Sequence, residues 1–250
     1  MAIYLKNESA IAKMRVAGKI VARAHEEAKK YIKPGVSTYE IDMIIAEYIK
    51  SQGAVASFLD YNGYPASACV AVNDVIVHGI PSKKVILKEG DILGVDVGAF
   101  IDGFHGDAAR THMVGEVSEE ARLLVERTKQ SYFESIKYAT TKNRLYDISN
   151  ALDDYITPFG YGIVRDFIGH GIGKKLHESP EIPHYRMNRR GPRLDKGITL
   201  CVEPMINMGT HRCKVLEDGW TAVTADGSLS AHYENTLVVT DGEPEILTII

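Results

Sequence analysis

The feature that most constrains the fold of this 250-residue chain is an internal repeat. A shift of 107 positions aligns two distant regions of the sequence without a gap. Like residues then coincide along both copies: Tyr31 with Tyr138, Ile41 with Ile148, Gly53 with Gly160, Leu93 with Leu200, and Asp96 with Glu203. Two copies are too few for a solenoid of stacked units. The repeat therefore predicts one domain over residues 1–250, with two similar halves at roughly residues 10–115 and 117–240.

Each copy has the pattern of two helices followed by strands. Apolar residues recur with helical spacing over residues 10–31, and Ser37 with Glu40 forms a capping box that opens a second helix ending near Gly53. Apolar and β-branched runs predict strands at residues 69–77, 92–97, 111–114, 198–202 and 236–239. A turn at Asp102-Gly103 joins two of these strands. The pattern indicates an α+β fold, in which two pseudo-symmetric halves share a curved, mainly antiparallel sheet with the helices outside.

Composition excludes several classes of function. The net charge is −4 and no long run of Lys and Arg occurs, so nucleic acid is not expected as a specific partner. The three cysteines form no Cys-x-x-Cys pair, which is typical of free thiols in a reducing compartment. No apolar run reaches the roughly 18 residues of a membrane span, and charged residues interrupt the N-terminus where a signal peptide is apolar. We therefore expect a cytoplasmic protein that does not enter the membrane. Walker A, GxGxxG, GxSxG and HExxH motifs are also missing from the sequence.

Four acidic residues occupy related places in the two copies. Asp96 and Glu203 end apolar strands at matching positions, and Asp107 and Glu234 lie on the partner strands. Each pair fits two neighbouring antiparallel strands. Four converging carboxylates repel one another and do not all ionise without a cation, whereas two divalent ions neutralise them. The pattern predicts a dinuclear metal centre; the alternative is that each acid is solvated or forms an ordinary ion pair.

Histidines supply further candidates for this centre. His170 lies between glycines in a Gly-His-Gly-Ile-Gly segment, His177 follows seven residues later, and His78 lies in a second His-Gly-Ile segment. The other six are expected to be structural or surface residues: His25, His105, His112, His184, His211 and His232. Carboxylates with imidazole and no thiolate favour Mn, Fe, Co or Zn over a cysteine-type zinc site.

The segment from Phe167 to His177, continued by Ile182 and His184-Tyr185, resembles the signature of type I methionine aminopeptidases. The resemblance covers almost the whole chain, from about residue 5 to residue 248. Five residues match that family's dinuclear metal ligands in order and kind: Asp96, Asp107, His170, Glu203 and Glu234. It implies that residues 1–250 form a single catalytic domain with the pita-bread fold.

The resemblance also implies a role for each ligand. Asp96 would chelate one metal ion, and His170 and Glu203 would complete the other. Asp107 and Glu234 would bridge both ions. The nucleophile that attacks the first peptide bond is then a water or hydroxide between the metals, since bound metal lowers its pKa towards neutrality. Glu203 is implied as the proton shuttle as well.

Other residues match the family's substrate and ion contacts. His177 would face the scissile carbonyl and the oxyanion that develops there. His78 would face the scissile amide or the next residue. A monovalent-cation site often found in the family matches Asn73, Val75 and Ser230.

The pocket for the methionine side chain maps to Tyr61, Tyr64, Cys69 and Trp220, with plain core packing as the alternative. Two further residues that line the family's pocket differ from the common pattern. Phe58 stands in place of a small Cys, and Leu176 in place of an aromatic residue, so pocket size is kept with altered shape. Gly98 replaces a frequent Thr beside Asp96, and His232 stands where Gln is usual.

Together these features imply metal-dependent removal of the initiator methionine from nascent proteins and peptides when the second residue is small. The implied cofactors are two divalent ions (Co, Mn, Fe or Zn) and a monovalent cation. The implied partners are nascent polypeptide N-termini, with transient contact to the ribosome, and we expect a monomer. Two alternatives are a proline-directed peptidase of the same fold, which carries a large N-terminal domain, and a non-catalytic pita-bread binding protein, which usually loses metal ligands.

Overall fold

The computed structural model describes residues 3–250. Within these residues the helices are α1 (Glu8–Lys29), α2 (Thr38–Ser51), α3 (Glu119–Ile136) and α4 (Leu145–Ile156). The strands are β1 (Val55–Ala56), β2 (Ala68–Val72), β3 (Val75–Val77), β4 (Ile92–Ile101), β5 (Phe104–Met113), β6 (Gly162–Ile163), β7 (Gly169–Gly171), β8 (Glu178–Ile182), β9 (Thr199–Val202), β10 (Met205–Asn207), β11 (Cys213–Val215), β12 (Ala222–Thr224), β13 (Ser230–His232), β14 (Asn235–Val238) and β15 (Glu245–Ile246). Short 3-10 helices cover Tyr61–Gly63 and Thr157–Phe159.

The helices follow the offset of the sequence repeat. α2 begins at Thr38 and α4 at Leu145, and α1 ends at Lys29 where α3 ends at Ile136. The predicted capping box opens α2, because the Glu40 backbone N–H donates to Ser37 Oγ over 3.3 Å and the Ser37 N–H donates to the Glu40 carboxylate over 2.8 Å. Among residues 3–250, no helix is both long and apolar enough to cross a bilayer.

The strands of the two halves are arranged alike. β4 is the central strand of the first half and pairs with β1, β2 and β5. β9 takes the matching place in the second half, where the order is β15-β14-β9-β7-β8. All of these pairings are antiparallel. The predicted α+β class with an antiparallel sheet is therefore confirmed.

Strand bounds differ from the sequence prediction in two places. The run over residues 69–77 is broken into β2 and β3, since Asn73 adopts a left-handed conformation with φ of 54° and turns the chain. β4 and β5 form a ten-residue hairpin through the predicted turn at Asp102-Gly103, longer than either predicted strand. Asp96 therefore lies in the middle of β4, and the expectation that it ends a strand was wrong.

Side-chain alternation gives the sheet an outer face covered by helices and an inner face. Val95 and Val97 of β4 pack with Ile41 and Ile45 of α2 in one buried cluster. In the second half, Leu200 and Val202 of β9 pack with residues of α3 and α4, including Tyr132 and Ile148. Successive side chains of a strand point to opposite faces. The side chains that alternate with these residues along each strand therefore point away from the helices, onto the inner face.

β5 and β14 join the two halves along the pseudo-twofold axis. The Glu234 N–H donates to the Ala109 carbonyl over 2.9 Å. Thr236 Oγ1 both accepts from the Asp107 N–H and donates to the Asp107 carbonyl, each over 2.9 Å. These bonds connect β4–β5 to β14–β9 and make one continuous inner surface.

The C-terminal segment packs against α1 with no space for a side chain at Gly18. A Cβ at Gly18 would lie 2.3 Å from the Leu247 carbonyl oxygen. Alanine is favoured over glycine in a helix by about 1 kcal/mol, yet overpacking against backbone typically costs about 1–3 kcal/mol. We expect Gly18→Ala to lower the free energy of unfolding in urea by about 1–2 kcal/mol. Lys19→Ala, at an exposed position of the same helix, is the matched control and should change it by less than about 0.5 kcal/mol. A Gly18→Ala variant as stable as the original chain would contradict this packing.

Candidate metal centre

Strand register brings the predicted ligands together in two lateral rows on the inner face. In the first row, Asp96 of β4 faces Ala109 of β5, whose carbonyl accepts from the Glu234 N–H at the start of β14. The second row runs from Asp107 through Thr236 and Cys201 to His170, across β5, β14, β9 and β7. Glu203 follows β9 directly, two residues after Cys201, and so lies on the same face.

The carboxylates of these rows are buried or half-buried, and each has one buried oxygen without a hydrogen-bond partner. Asp107 is 3% exposed and Glu234 is 2% exposed. In all four acids one buried oxygen makes no hydrogen bond: Asp96 Oδ1, Asp107 Oδ1, Glu203 Oε1 and Glu234 Oε1. Such groups are costly to bury unless a cation or donor satisfies them. The geometry therefore fits a site that is completed by cations.

Burial raises the pKa of every acid in the centre, and repulsion from Glu234 raises the pKa of the other three further. The pKa values of Asp96, Asp107 and Glu203 are raised well above their usual range by loss of hydration, and next by the negative charge of Glu234. Burial also raises the pKa of Glu234, although the Cys201 thiol and Arg110 oppose that shift. A pair of divalent ions reverses the balance, because positive charge favours the ionised carboxylates.

His170 has the protonation state that a metal ligand needs. Its Nδ1–H donates to the Gly171 carbonyl over 2.9 Å, which leaves the lone pair on Nε2. Burial, and then the neighbouring His177, lower the pKa of His170 to about 3, so the ring is neutral. Nε2 lies 3.4 Å from Glu203 Oε1, as expected for two ligands of one ion. Carboxylates with one imidazole form a donor set suited to Mn, Fe, Co or Zn.

The centre opens into a cavity of about 310 Å³. All five predicted metal ligands line this cavity. The predicted substrate contacts line it as well: His78, His177, Phe58, Tyr61, Tyr64, Cys69, Leu176 and Trp220. One wall thus carries buried charge and the other is largely aromatic and apolar.

Comparison with known proteins agrees with this arrangement. The model of the metallopeptidase family M24 matches residues 12–241. A methionine aminopeptidase of Clostridium acetobutylicum is 49% identical over 247 residues, with 99% of each chain covered. The chain belongs to family M24, among its methionine aminopeptidases. Methionine aminopeptidase 1 of Bacillus subtilis is 46% identical, covering 98% of this chain and 99% of its own.

Solved structures show the same fold. The methionine aminopeptidase of Thermotoga maritima matches with a TM-score of 0.98 at 43% identity, and each chain is covered completely. A prolidase of Pyrococcus furiosus matches with a TM-score of 0.79 at 22% identity, where this chain covers 65% of the prolidase. The second match shows the shared pita-bread fold alone, so the comparisons do not favour the proline-directed alternative.

Two histidines lie between the charged and apolar walls of the cavity. The Tyr61 hydroxyl is 2.7 Å from His177 Nδ1, and the His177 ring lies 4.2 Å from the His170 ring, centroid to centroid. Burial lowers the pKa of His177, so the ring is neutral. With the tyrosine hydroxyl donating to Nδ1, its proton is on Nε2. His78 is held in a left-handed conformation with φ of 58°, and its ring packs edge-on against Phe167 and Trp220.

The apolar wall of the cavity has a rigid framework. Tyr64 donates to the Gly79 carbonyl over 2.8 Å and packs edge-on against Trp220 at 5.2 Å. Phe58 is buried beside Gly98 and Ser57. A Cβ at Gly98 would lie 2.9 Å from Phe58 Cε1 and 2.7 Å from Ser57 Cβ. Phe58 thus takes the space that a side chain at position 98 needs, which links the two departures from the common family pattern.

The residues matched to a monovalent-cation site lie close together outside the cavity. The Ser230 N–H donates to the Asn73 carbonyl over 2.9 Å, and Val75 begins β3 two residues later. The Asn73 side chain is already bonded to Asp91 and to the Ile92 N–H. The cation site stays a prediction.

Sequence reasoning missed three residues at the centre. Cys201 places its thiol among the metal ligands, although a thiol-free centre was expected. Its position two residues before Glu203 in a strand was the available signal, because such residues share a face. His232 lines the cavity, with Nε2 3.8 Å from Glu203 Oε2, and His184 Nε2 accepts from the Glu203 N–H over 3.1 Å. Both contacts depend on long-range packing that no local pattern reveals.

The raised carboxyl pKa values predict how metal-free protein responds to pH. These acids hold protons more tightly in the folded chain than in the unfolded chain, where carboxyl pKa values are near 4. The free energy of unfolding should therefore fall as pH rises above about 4, through the pKa of Glu234 at about 7. Buried neutral histidines have the opposite effect, since they lower the free energy of unfolding as pH falls below about 6.5. Manganese-loaded and EDTA-treated protein must therefore be compared at each pH. At about pH 8, Asp107→Asn should raise the melting temperature of EDTA-treated protein and lower that of loaded protein. Equal destabilisation of both forms would contradict the repulsion argument.

The contact between Phe58 and Gly98 predicts a coupled pair of substitutions. Gly98→Thr alone should lower the free energy of unfolding by about 1–3 kcal/mol, since the new side chain overlaps Phe58 and Ser57. Phe58→Cys opens space for the threonine, so the double variant should regain at least about 0.5 kcal/mol over the sum of the single effects. Urea unfolding of the four proteins measures this coupling. Strict additivity would show that Phe58 does not occupy the space beside position 98.

Proposed function

We propose that this protein removes the initiator methionine from nascent proteins and peptides whose second residue is small. The observation that carries the proposal is the meeting of four buried, unpartnered carboxylates with a largely aromatic and apolar pocket in one cavity. The substrate of such a site has a hydrophobic side chain next to a bond that water cleaves.

Two divalent ions are the proposed cofactors, drawn from Co, Mn, Fe and Zn. Asp96 would hold one ion, His170 and Glu203 the other, and Asp107 and Glu234 both. When bound, the ions polarise the scissile carbonyl and activate water for attack. The order of the ligands across the strands supports this division. Asp96 on β4 and His170 on β7 lie on opposite sides, and Asp107 and Glu234 lie between them.

The apolar wall selects the first residue of the substrate. Phe58, Tyr61, Tyr64, Leu176 and Trp220 offer apolar surface to a methionine side chain, and Cys69 offers a buried thiol whose pKa burial raises, so that it stays neutral. Such a pocket rejects charged side chains strongly and close isosteres weakly. His78 lies on the fixed backbone beside Gly79, where a Cβ would meet the Val70 carbonyl at 2.2 Å. We infer that the second residue of the substrate meets this wall, so that a small side chain is preferred there.

His177 and Glu203 have distinct proposed roles in the reaction. The Nε2–H of His177 donates to the carbonyl oxygen as negative charge develops there, an interaction that is stronger in the transition state than in the bound substrate. The Glu203 carboxylate accepts a proton from the attacking water and passes it to the leaving nitrogen. The His184 bond to the Glu203 backbone keeps that carboxylate at the cavity.

We further propose that the protein acts in the cytoplasm as a monomer on nascent polypeptide N-termini, with transient contact to the ribosome. A monovalent cation at Asn73, Val75 and Ser230 would brace the turn between β2 and β3 against β13. The Asn73–Ser230 hydrogen bond supports this location.

A substrate panel tests the proposed function. Full-length protein with Mn²⁺ should cleave Met-Ala-Ser with a kcat/KM at least about tenfold above that for Leu-Ala-Ser and Met-Lys-Ser, and should not cleave an Ala-Pro peptide. EDTA should abolish turnover, and Mn²⁺, Co²⁺ or Fe²⁺ should restore it. Preference for the Xaa-Pro peptide would support the proline-directed alternative. Peptide binding without turnover at any metal concentration would support the binding-protein alternative.

The bond between Tyr61 and His177 predicts a specific kinetic effect. Tyr61→Phe removes the hydroxyl that fixes the His177 tautomer but keeps the ring in the pocket wall. We expect kcat to fall about 10-fold and KM for Met-Ala-Ser to change less than about twofold, because the lost interaction acts mainly in the transition state. His177→Ala, which removes the donor itself, should cost about 10²–10³ in kcat. If Tyr61→Phe raises KM and leaves kcat unchanged, Tyr61 serves in binding only.

A further inference from the structure

Cys201 occupies a position on the inner face that brings its sulfur among the proposed metal ligands. It faces His170 of β7 on one side and Thr236 of β14 on the other, and Thr236 is bonded to Asp107. Cross-strand neighbours in register share a face of the sheet. The thiol is fully buried, lies 3.5 Å from Thr236 Oγ1 and also interacts with the Glu234 carboxylate.

The distances around this thiol match the coordination of one ion. One ligand atom from each of Asp107, His170, Cys201 and Glu234 lies within 4.8 Å of the other three. Zinc binds sulfur at about 2.3 Å and nitrogen or oxygen at about 2.0–2.2 Å, so ligand atoms of one tetrahedral ion lie about 3.3–3.8 Å apart. Side-chain movements of about 1 Å bring the four atoms to these distances.

The partners of Cys201 in this group have free ligand atoms. Asp107 Oδ1 and Glu234 Oε1 are buried and make no hydrogen bond, and both residues are more than nine-tenths buried. His170 presents Nε2, because its Nδ1–H is bonded to Gly171. A carboxylate pair, an imidazole and a sulfur form a softer donor set than the one proposed for catalysis, and soft ligands select thiophilic ions.

We propose that Cys201 lets this centre capture a single thiophilic ion, of the class of Cd²⁺, between Asp107, His170, Cys201 and Glu234. On binding, the Cys201 S–H bond breaks, a sulfur–metal bond forms, and the proton passes to solvent. This ion competes with the harder pair of ions for Asp107, His170 and Glu234. Asp96 and Glu203 lie outside its ligands, whereas the proposed catalytic arrangement uses both.

The consequence rests on the proposed function. An enzyme loaded through Cys201 keeps an ion but loses the two-ion arrangement, and so is inactive towards Met-Ala-Ser. Cys201 thereby sets which metals poison the enzyme, while the carboxylates and His170 set which metals activate it.

Cadmium binding followed by absorbance tests the proposal. Full-length Mn²⁺-loaded protein is titrated with CdCl₂, and the ultraviolet sulfur-to-cadmium charge-transfer band is recorded together with Mn²⁺ release by electron paramagnetic resonance. We expect the band to rise to one equivalent as Mn²⁺ is released. Cys201→Ser should abolish the band and weaken Cd²⁺ binding at least about tenfold, with Mn²⁺ affinity changed less than about threefold.

The three cysteines allow a matched control. The double variant Cys69→Ser/Cys213→Ser keeps Cys201 as the only thiol of the chain, and it should retain the whole band. Cys201→Thr serves as a second sulfur-free variant, and circular dichroism checks that each variant is folded. A band that persists without Cys201, a double variant without a band, or equal Cd²⁺ affinity in Cys201→Ser would overturn the proposal.

The same experiment separates this inference from the proposed function. The charge-transfer band and Mn²⁺ release are measured without any peptide. If they appear as expected but Met-Ala-Ser is not cleaved by the Mn²⁺ form, the thiol ligand stands and the proposed function fails. If cleavage occurs but no band forms, the function stands and the role given to Cys201 is wrong.

Discussion

Four carboxylates that each bury an oxygen repel one another where the two halves of the molecule meet. Asp96, Asp107, Glu203 and Glu234 each bury an oxygen that no protein donor satisfies. Burying such a cluster opposes the hydrophobic gain of the surrounding core, and the charge of Glu234 raises the pKa values of Asp96, Asp107 and Glu203. Divalent ions relieve this repulsion, because positive charge favours the ionised carboxylates, and the group therefore binds metal. The centre therefore opposes folding of the metal-free chain, and the same carboxylates are the proposed ligands of the catalytic ions.

The fold holds these acids at fixed places by duplicating one unit. Outer-face residues such as Val95 and Leu200 anchor the central strands on the helices of their own half, and alternation then fixes the direction of Asp96 and Cys201. Hydrogen bonds between β5 and β14 set the offset between the halves. Loops supply the two remaining histidines of the cavity. His78 lies in a segment with a left-handed backbone conformation, and His177 is held by its hydrogen bond to Tyr61.

The sequence predicted the architecture well because the repeat is a long-range signal that needs no structure to detect. Matching Asp96 with Glu203 placed two acids on equivalent strands, the capping box located the start of α2, and α4 begins at the matching position in the second half. Strand ends were predicted less well, since the length of the β4–β5 hairpin depends on pairing rather than on local preference. The thiol of Cys201 and the contacts of His184 and His232 with Glu203 were missed. The two histidine contacts arise from packing between distant segments, and only the structure shows that Phe58 fills the space beside Gly98.

We propose that the four carboxylates enclose two divalent ions on the pseudo-twofold axis. The most direct measurement is an anomalous difference map, collected at the manganese absorption edge from crystals of the full chain grown with Mn²⁺. The account predicts two peaks about 3.5–4 Å apart, with Asp107 and Glu234 between them and with Asp96 and His170 on opposite sides. A single peak, or peaks outside this carboxylate group, would contradict it.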